Sequence, residues 1–226
     1  MTYTTILFDL DHTLLDTDAS ERSAFAETMS KFNGSSADPY HGAYRRINRR
    51  LWDQVERGIT TPDEVRTERF RQLVAETDLD ASPHDMANHF AEGLGAHGSL
   101  FEGARSVLDH LMKRVTLALV TNGIGQVQRT RIDRLGIDKY FAAIVISGEV
   151  GAAKPGSAIF EMTFGDLGDP PKETVLMIGD SLTSDIQGGI NYGIDTCWYN
   201  PHRHPAPNEI NPTFEITALK DLVDRV

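Results

Sequence analysis

Asp9 and Asp11 stand two residues apart in Phe8-Asp9-Leu10-Asp11-His12-Thr13, directly behind the apolar run Ile6-Leu7-Phe8. Residues two apart on a strand point to the same side. At the end of a buried strand, both carboxylates can therefore face one crevice. Two close carboxylates repel, and burial raises the cost. A divalent cation removes that difficulty. Hard oxygen ligands suit Mg²⁺, which commonly takes one or two protein carboxylates together with waters and a substrate phosphate. The alternative is a pair of solvated turn aspartates, with Asp11 capping a helix.

Three further stretches have the same character. Thr121-Asn122-Gly123 closes a second apolar run and offers a hydroxyl and amide donors suited to phosphate oxygens, although an ordinary strand-end turn has the same composition. Lys154, in Ala153-Lys154-Pro155, is a point cation able to neutralise a phosphoryl group, or else a surface lysine. In Gly179-Asp180-Ser181-Leu182-Thr183-Ser184-Asp185, Asp180 emerges as Asp9 does and can complete a metal site. Asp185 is a further carboxylate there, or a helix cap.

These groups need a frame. Residues 4 to 10 are a continuous apolar run, as strands buried on both faces of a parallel sheet are. Similar runs recur at 115–120, 143–146, 175–178, 196–199 and, as a short sixth, 214–216. Helical patterns lie between them: Val107, Leu108 and Leu111; Val127, Ile132 and Leu135; Ile159, Phe160 and Thr163. Strands alternating with helices predict an α/β fold with a doubly wound, Rossmann-like parallel sheet. The stretch from 17 to 90 has no strand pattern and several helix starts. Asp38-Pro39 reads as an N-cap before a first-turn proline, Thr61-Pro62-Asp63-Glu64 as a capping box, and Ser82-Pro83 as another start. The expectation is an all-helical cap of four or five helices over 17–90, inserted into a core made of 1–16 and 91–226. An insert placed after the first strand sits above the strand ends where open α/β sheets bind ligands.

Composition narrows the function classes. A net charge of −11 argues against general affinity for polymeric nucleic acid or an anionic membrane surface. No apolar run approaches the ~20 residues that span a bilayer, and no secretion signal is visible, so the expected location is cytoplasmic. Cys197 is the one cysteine, which excludes a disulfide within the chain and reads as a buried structural thiol. His202 and His204 lack a cysteine or acidic partner at metal-site spacing and read as part of a proline-stiffened loop.

In order and context, Asp9-x-Asp11-x-Thr13, Thr121, Lys154 and Gly179-Asp180-x4-Asp185 resemble the motifs of the haloacid dehalogenase-like superfamily. That resemblance implies Asp9 as a nucleophile forming an aspartyl-phosphate, and Asp11 as the acid and base of the two half-reactions. It implies Thr121, Asn122 and Lys154 at the phosphate. It implies Mg²⁺, with Mn²⁺ as a substitute, on Asp9, Asp180 and the main-chain oxygen of Asp11, oriented from behind by Asp185. The helical insert resembles the mobile cap of that superfamily. Members that cleave carbon–halogen bonds lack an aspartate at the Asp11 position, so Asp11 favours phosphoryl transfer. Mutases share it.

Within the superfamily, Asn48, Leu51-Trp52, Gly58-Ile59-Thr60, Arg69-Phe70, the stretch 145–151 and the stretch 188–200 are similar to the noncanonical pyrimidine 5′-nucleotidases. This implies a small phosphate ester as partner, a nucleoside monophosphate such as UMP, dUMP or dTMP. The alternatives are a phosphatase for phosphoglycolate or a sugar phosphate, a sugar-phosphate mutase, or a non-catalytic module on the same fold. Physically, Arg45, Arg46, Arg49 and Arg50 form a basic helix stretch that either steers an anionic substrate or is solvated. Trp52 is a base-stacking ring or a core anchor, and Asn48 offers an amide that can read the edge of uracil or thymine. Oligomeric state is not legible.

Overall fold

The structure is a computed structural model that describes residues 3–33, 37–205 and 209–226. Six strands form one all-parallel sheet: β1 (Thr5–Phe8), β2 (Thr116–Thr121), β3 (Ala143–Ile146), β4 (Val175–Gly179), β5 (Asp195–Tyr199) and β6 (Phe214–Ile216). Their order is β3-β2-β1-β4-β5-β6. The chain builds outward from β1 in one direction and then returns to its other side, so the order reverses between β1 and β4.

The apolar runs are unbroken because each strand is covered on both faces. Ile6 and Phe8 of β1 belong to one core, whereas Leu7 between them belongs to the opposite one. Leu117 and Leu119 alternate in the same way with Ala118 and Val120, and Leu176 and Ile178 with Val175 and Met177. The helices α5 (Ala104–Leu111), α6 (Gly125–Leu135), α7 (Ser147–Val150), α8 (Ser157–Asp166) and α9 (Gln187–Tyr192) accompany the sheet. No described helix is long and apolar enough to cross a membrane.

Between β1 and α5 lie four cap helices: α1 (Thr17–Asn33), α2 (Asp38–Glu56), α3 (Pro62–Glu76) and α4 (Pro83–Ala96). They have their own core, in which Phe25, Tyr44, Phe70 and Phe90 meet; Phe25 and Tyr44 stack at 4.4 Å. Thr61 makes the expected capping box with Glu64, and Ser82 caps α4. Asp38 is not an N-cap. It lies inside the first turn of α2, after Ala37 at the N-cap position.

The boundary expected at residue 90 falls inside α4, which continues to Ala96. Two glycines in its last turns are points of close packing. A Cβ on Gly93 would lie 2.9 Å from Ala24 Cβ, and one on Gly95 would lie 2.8 Å from Thr130 Cγ2. Thus α4 presses against α1 in the cap and α6 in the core, and tertiary packing overrides propensity.

The two connections between cap and core run side by side. Asp16 N–H bonds to Ser99 O at 3.0 Å, Phe101 N–H bonds to Leu14 O at 2.9 Å, and Leu15 bridges Leu100 between them. Just before this strap His12 adopts φ 59°, a turn that lets the chain leave β1 with Asp9 and Asp11 on the inside.

Candidate active site

β1 and β4 end side by side where the strand order reverses, and an Ile178 O to Asp9 N–H bond of 2.9 Å ties them. Asp9 and Asp180 leave those two ends. Asp9, Asp180 and Asp185 offer carboxylate oxygens within 4.8 Å of one another. Lys154 is threaded beneath: its Nζ donates to Asp9 Oδ1 at 2.7 Å and to Val120 O at 2.6 Å, and pairs with Asp185 Oδ1 at 2.7 Å. Thr13 Oγ1 donates to Asp9 Oδ2 at 3.2 Å and accepts from Asp180 N–H at 3.1 Å.

Gly179 lets this cluster close. A Cβ there would lie 2.0 Å from Asp185 Oδ2, so the carboxylate rests where any side chain would be. Ser181 N–H then donates to that oxygen at 3.0 Å.

The charges do not balance. Burial raises Asp9 well above the usual carboxylate range; Lys154 opposes this, and Asp185, Asp180 and Asp11 add to it. Burial and Asp185 push Asp180 up to about 8. Lys154 is raised because its two carboxylate partners outweigh burial. Three carboxylates against one ammonium make a hard-oxygen donor set with surplus negative charge, which fits a divalent cation such as Mg²⁺. Both oxygens of Asp185 are engaged by Lys154 and Ser181. Asp185 is 1% exposed, whereas Asp9 and Asp180 leave the two strand ends at the reversal point and are the side chains that would hold such an ion.

Asp11 has a different environment. Its carboxylate is not among the three clustered ones; it accepts from Thr17 Oγ1 at 2.6 Å, Gln128 Nε2 at 2.5 Å and Arg131 Nη1 at 2.8 Å. Burial raises its pKa, but Arg131, Thr17, His12 and Gln128 more than reverse this, and the net shift is downward. Gln128 and Arg131 were not singled out from the sequence. They flank the apolar stripe of α6 and are 1% and 3% exposed, so the available signal was polar residues bordering a core face. Arg131 also reaches the cap, donating to Leu94 O at 2.9 Å and Ser20 Oγ at 3.1 Å.

Two of the residues expected at the phosphate are committed elsewhere. Asn122 Nδ2 donates to Lys154 O and Asn122 Oδ1 accepts from Lys154 N–H, both at 2.9 Å, so this side chain holds the lysine loop. The three donors of Lys154 are all taken by protein oxygens, which leaves it a neutralising charge here and not a free donor to phosphate. Thr121 is buried at the end of β2 and accepts from Gln128 Nε2 at 2.9 Å.

Above the carboxylates lies a cavity of about 860 Å³ between core and cap, lined by Asp9, Asp11 and Asp180 below and by Arg45, Asn48, Arg49 and Trp52 above. The four arginines of α2 divide. Arg46 pairs with Glu76 at 2.6 Å and Arg50 donates to Gln72 at 2.5 Å, whereas Arg45 and Arg49 have no ion pair among the described residues. Trp52 packs half-buried on the cap core and also lines the cavity. Glu56, at the end of α2, lines the same cavity, and burial raises its pKa. His202 and His204 lie in an exposed loop closed by Asn200, away from the carboxylates.

The family model for haloacid dehalogenase-like hydrolases matches residues 6–199. The chain is 36% identical to the pyrimidine 5′-nucleotidase PynA of Streptococcus pneumoniae over 99% of this chain and 95% of that one. It is 32% identical to the pyrimidine 5′-nucleotidase YjjG of Escherichia coli over 96% and 95%. A crystal structure of the HAD-hydrolase YfnB of Bacillus subtilis, bound to magnesium and described as showing interdomain movement, superimposes with a TM-score of 0.91 at 35% identity. It covers 100% of this chain and 99% of that one. With the strand-end aspartates gathered around Lys154 on a matching sheet, the chain belongs to the haloacid dehalogenase-like hydrolase family.

Proposed function

We propose that this hydrolase is a Mg²⁺-dependent phosphomonoesterase that works through an aspartyl-phosphate on Asp9, with the pyrimidine nucleotides UMP, dUMP and dTMP as substrates. The observation that carries the mechanism is the contrast between two carboxylates of one turn. Asp9 sits on Lys154 at the reversal point, while Asp11 is held apart by Arg131, Thr17 and Gln128. Environments that separate paired acids assign them separate roles.

Asp9 attacks phosphorus, forming an Asp9–phosphorus bond as the bond to the ester oxygen breaks. Asp11 delivers a proton to that leaving oxygen. It then takes a proton from the water that attacks the phospho-aspartate, which releases phosphate and restores Asp9. Arg131 favours the ionised, base form of Asp11, so Asp11 first takes up a proton from water as the anionic substrate enters the cavity, and it is this proton that passes to the leaving oxygen. Because Arg131 also grips Leu94 and Ser20, a change in the cap's position alters its hold on Asp11. Mg²⁺ on Asp9 and Asp180 would supply the positive charge that lets a dianionic phosphate approach these carboxylates. Arg45 and Arg49 line the cavity and draw the anion into an acidic protein, and Thr121, buried at the end of β2 beside the cavity-lining Asn122, is the hydroxyl proposed as phosphate donor. The pyrimidine assignment is supported by relatives called pyrimidine 5′-nucleotidases at 32% and 36% identity along nearly the whole chain.

The test is phosphate release with Mg²⁺ from UMP, dUMP, dTMP, AMP, GMP, phosphoglycolate and hexose phosphates. The expected result is the highest kcat/KM on the pyrimidine nucleotides and none with Asp9→Asn. A higher kcat/KM on sugar phosphates or phosphoglycolate would overturn the substrate assignment. Substantial turnover by folded Asp9→Asn would overturn the covalent route.

A further inference from the structure

Glu21 of α1, Asn48 of α2 and Arg69 of α3 meet in the cap, and all three line the cavity. Arg69 is 1% exposed, with its guanidinium 4.5 Å from the ring centre of Phe90. No carboxylate pairs with it among the described residues, and its Nε and Nη2 have no hydrogen-bond partner there. Its Nη1 donates to Asn48 Oδ1 at 3.2 Å. On the other side, Asn48 Nδ2 donates to Glu21 Oε1 at 2.7 Å. That carboxylate is fixed by the Tyr44 hydroxyl at 2.6 Å, and Tyr44 stacks on Phe25.

An amide side chain can ordinarily flip, exchanging its donor and acceptor ends. Here it cannot do so at low cost. A guanidinium only donates and a carboxylate only accepts, so a flipped Asn48 would set NH₂ against Arg69 and C=O against Glu21. One N–H and one lone pair of the amide remain, in a fixed order.

We propose that Glu21 and Arg69 are positioning residues that lock the Asn48 amide so that it reads a lactam edge: a ring carbonyl beside a ring N–H. This deepens, and rests on, the nucleotidase reading, and it names the base class as uracil- or thymine-like. A cytosine-type edge shows an amino donor beside a ring acceptor and needs the flipped amide. The placement on the helix agrees. Asn48 lies eight residues before Glu56, about 12 Å along α2 from the carboxylate end of the cavity. Trp52 stands one turn away, half-buried, with ring surface at the same cavity.

The experiment measures kcat/KM for UMP, CMP, N3-methyl-UMP and p-nitrophenyl phosphate. The proteins are the wild type, Glu21→Gln and Arg69→Met, each checked for folding by circular dichroism. The wild type should favour UMP over CMP and over N3-methyl-UMP by roughly tenfold or more, since a buried polar group is left unpaired by the wrong edge. Both variants free the amide, so their UMP-to-CMP ratio should fall by about tenfold. In Arg69→Met the loss on UMP should exceed the loss on p-nitrophenyl phosphate by a similar factor.

Folded variants that keep the wild-type UMP-to-CMP ratio would overturn the proposal while leaving the nucleotidase reading intact. Should a variant not fold, the wild type decides, because equal turnover of UMP and N3-methyl-UMP overturns the lactam reading. A wild type with no preference for pyrimidine nucleotides over p-nitrophenyl phosphate overturns both.

Discussion

Arg131→Met tests the link between cap and chemistry most directly. The wild-type guanidinium is 4% exposed and makes hydrogen bonds of 2.8 to 3.1 Å to Asp11, Leu94, Ser20 and Gln128. Removing one partner of a buried ion pair costs roughly 3–5 kcal/mol. Asp11 is 22% exposed and keeps Thr17 and Gln128, so the low end, about 3 kcal/mol, applies here. At this chain length each kcal/mol shifts Tm by about 2–4 °C, giving an expected fall of roughly 6–12 °C. The kinetic signature is separate. A nucleoside alkoxide needs a proton to leave, whereas p-nitrophenolate does not. Misplacing Asp11 should therefore lower kcat on UMP by about a hundredfold and on p-nitrophenyl phosphate by tenfold or less. Arg131→Lys keeps the charge without the forked geometry and should fall between. Differential scanning calorimetry and phosphate release on both substrates decide it. A Tm within about 2 °C of wild type, or equal kcat losses on the two esters, would refute the reasoning.

Gly179→Ala forces a methyl to within 2.0 Å of where Asp185 Oδ2 rests, so Asp185 must leave Lys154; kcat should drop more than about a hundredfold, with a stability loss of about 1–3 kcal/mol in urea titration. Cys197 is fully buried and burial raises its pKa, so Ellman's reagent should not label the native enzyme and should label one thiol per chain in denaturant. The fork from Arg129 to Glu149 holds that carboxyl below its usual range. Its stabilisation is present above the unfolded pKa of about 4.3 and lost as pH falls through the lower folded value. Both groups are more than a third exposed or close to it, so Glu149→Gln should cost at most about 1 kcal/mol at pH 7 and converge on wild type near pH 3, read from urea midpoints at the two pH values.

The sheet was legible because parallel strands buried on both faces leave unbroken apolar runs, and all six were found within a residue or two of their ends. The reversal-point aspartates were legible because short motifs at strand ends survive without tertiary information. What the sequence hid was who meets whom. Arg131 reaches Asp11 across 120 residues, and nothing near either one announces the other. Asn122 was expected at the phosphate and lines the cavity, but that its side chain also ties down Lys154, 32 residues away, had no trace in the sequence. The packing of α4 was not legible either: Gly93 and Gly95 sit where Ala24 and Thr130 press against the helix, and those neighbours come from two other helices. Asn48 was singled out by the resemblance and by its amide; the two neighbours that fix its direction come from two other helices.

The strap formed by residues 14–16 and 99–101 has a consequence for how such an enzyme can change over evolutionary time. The chain departs from the core and comes back to it at neighbouring points, joined by backbone bonds at Asp16–Ser99 and Phe101–Leu14. A detour of this kind adds little loop-closure entropy to the core, however long it is. The helical unit can then be lengthened, reshaped or exchanged for another without rethreading the sheet, as insertions between adjacent chain positions generally can. Selection can therefore rewrite the ligand-facing side chains of the detour while the phosphate chemistry stays in place, and lineages sharing one reaction centre can diverge in diet.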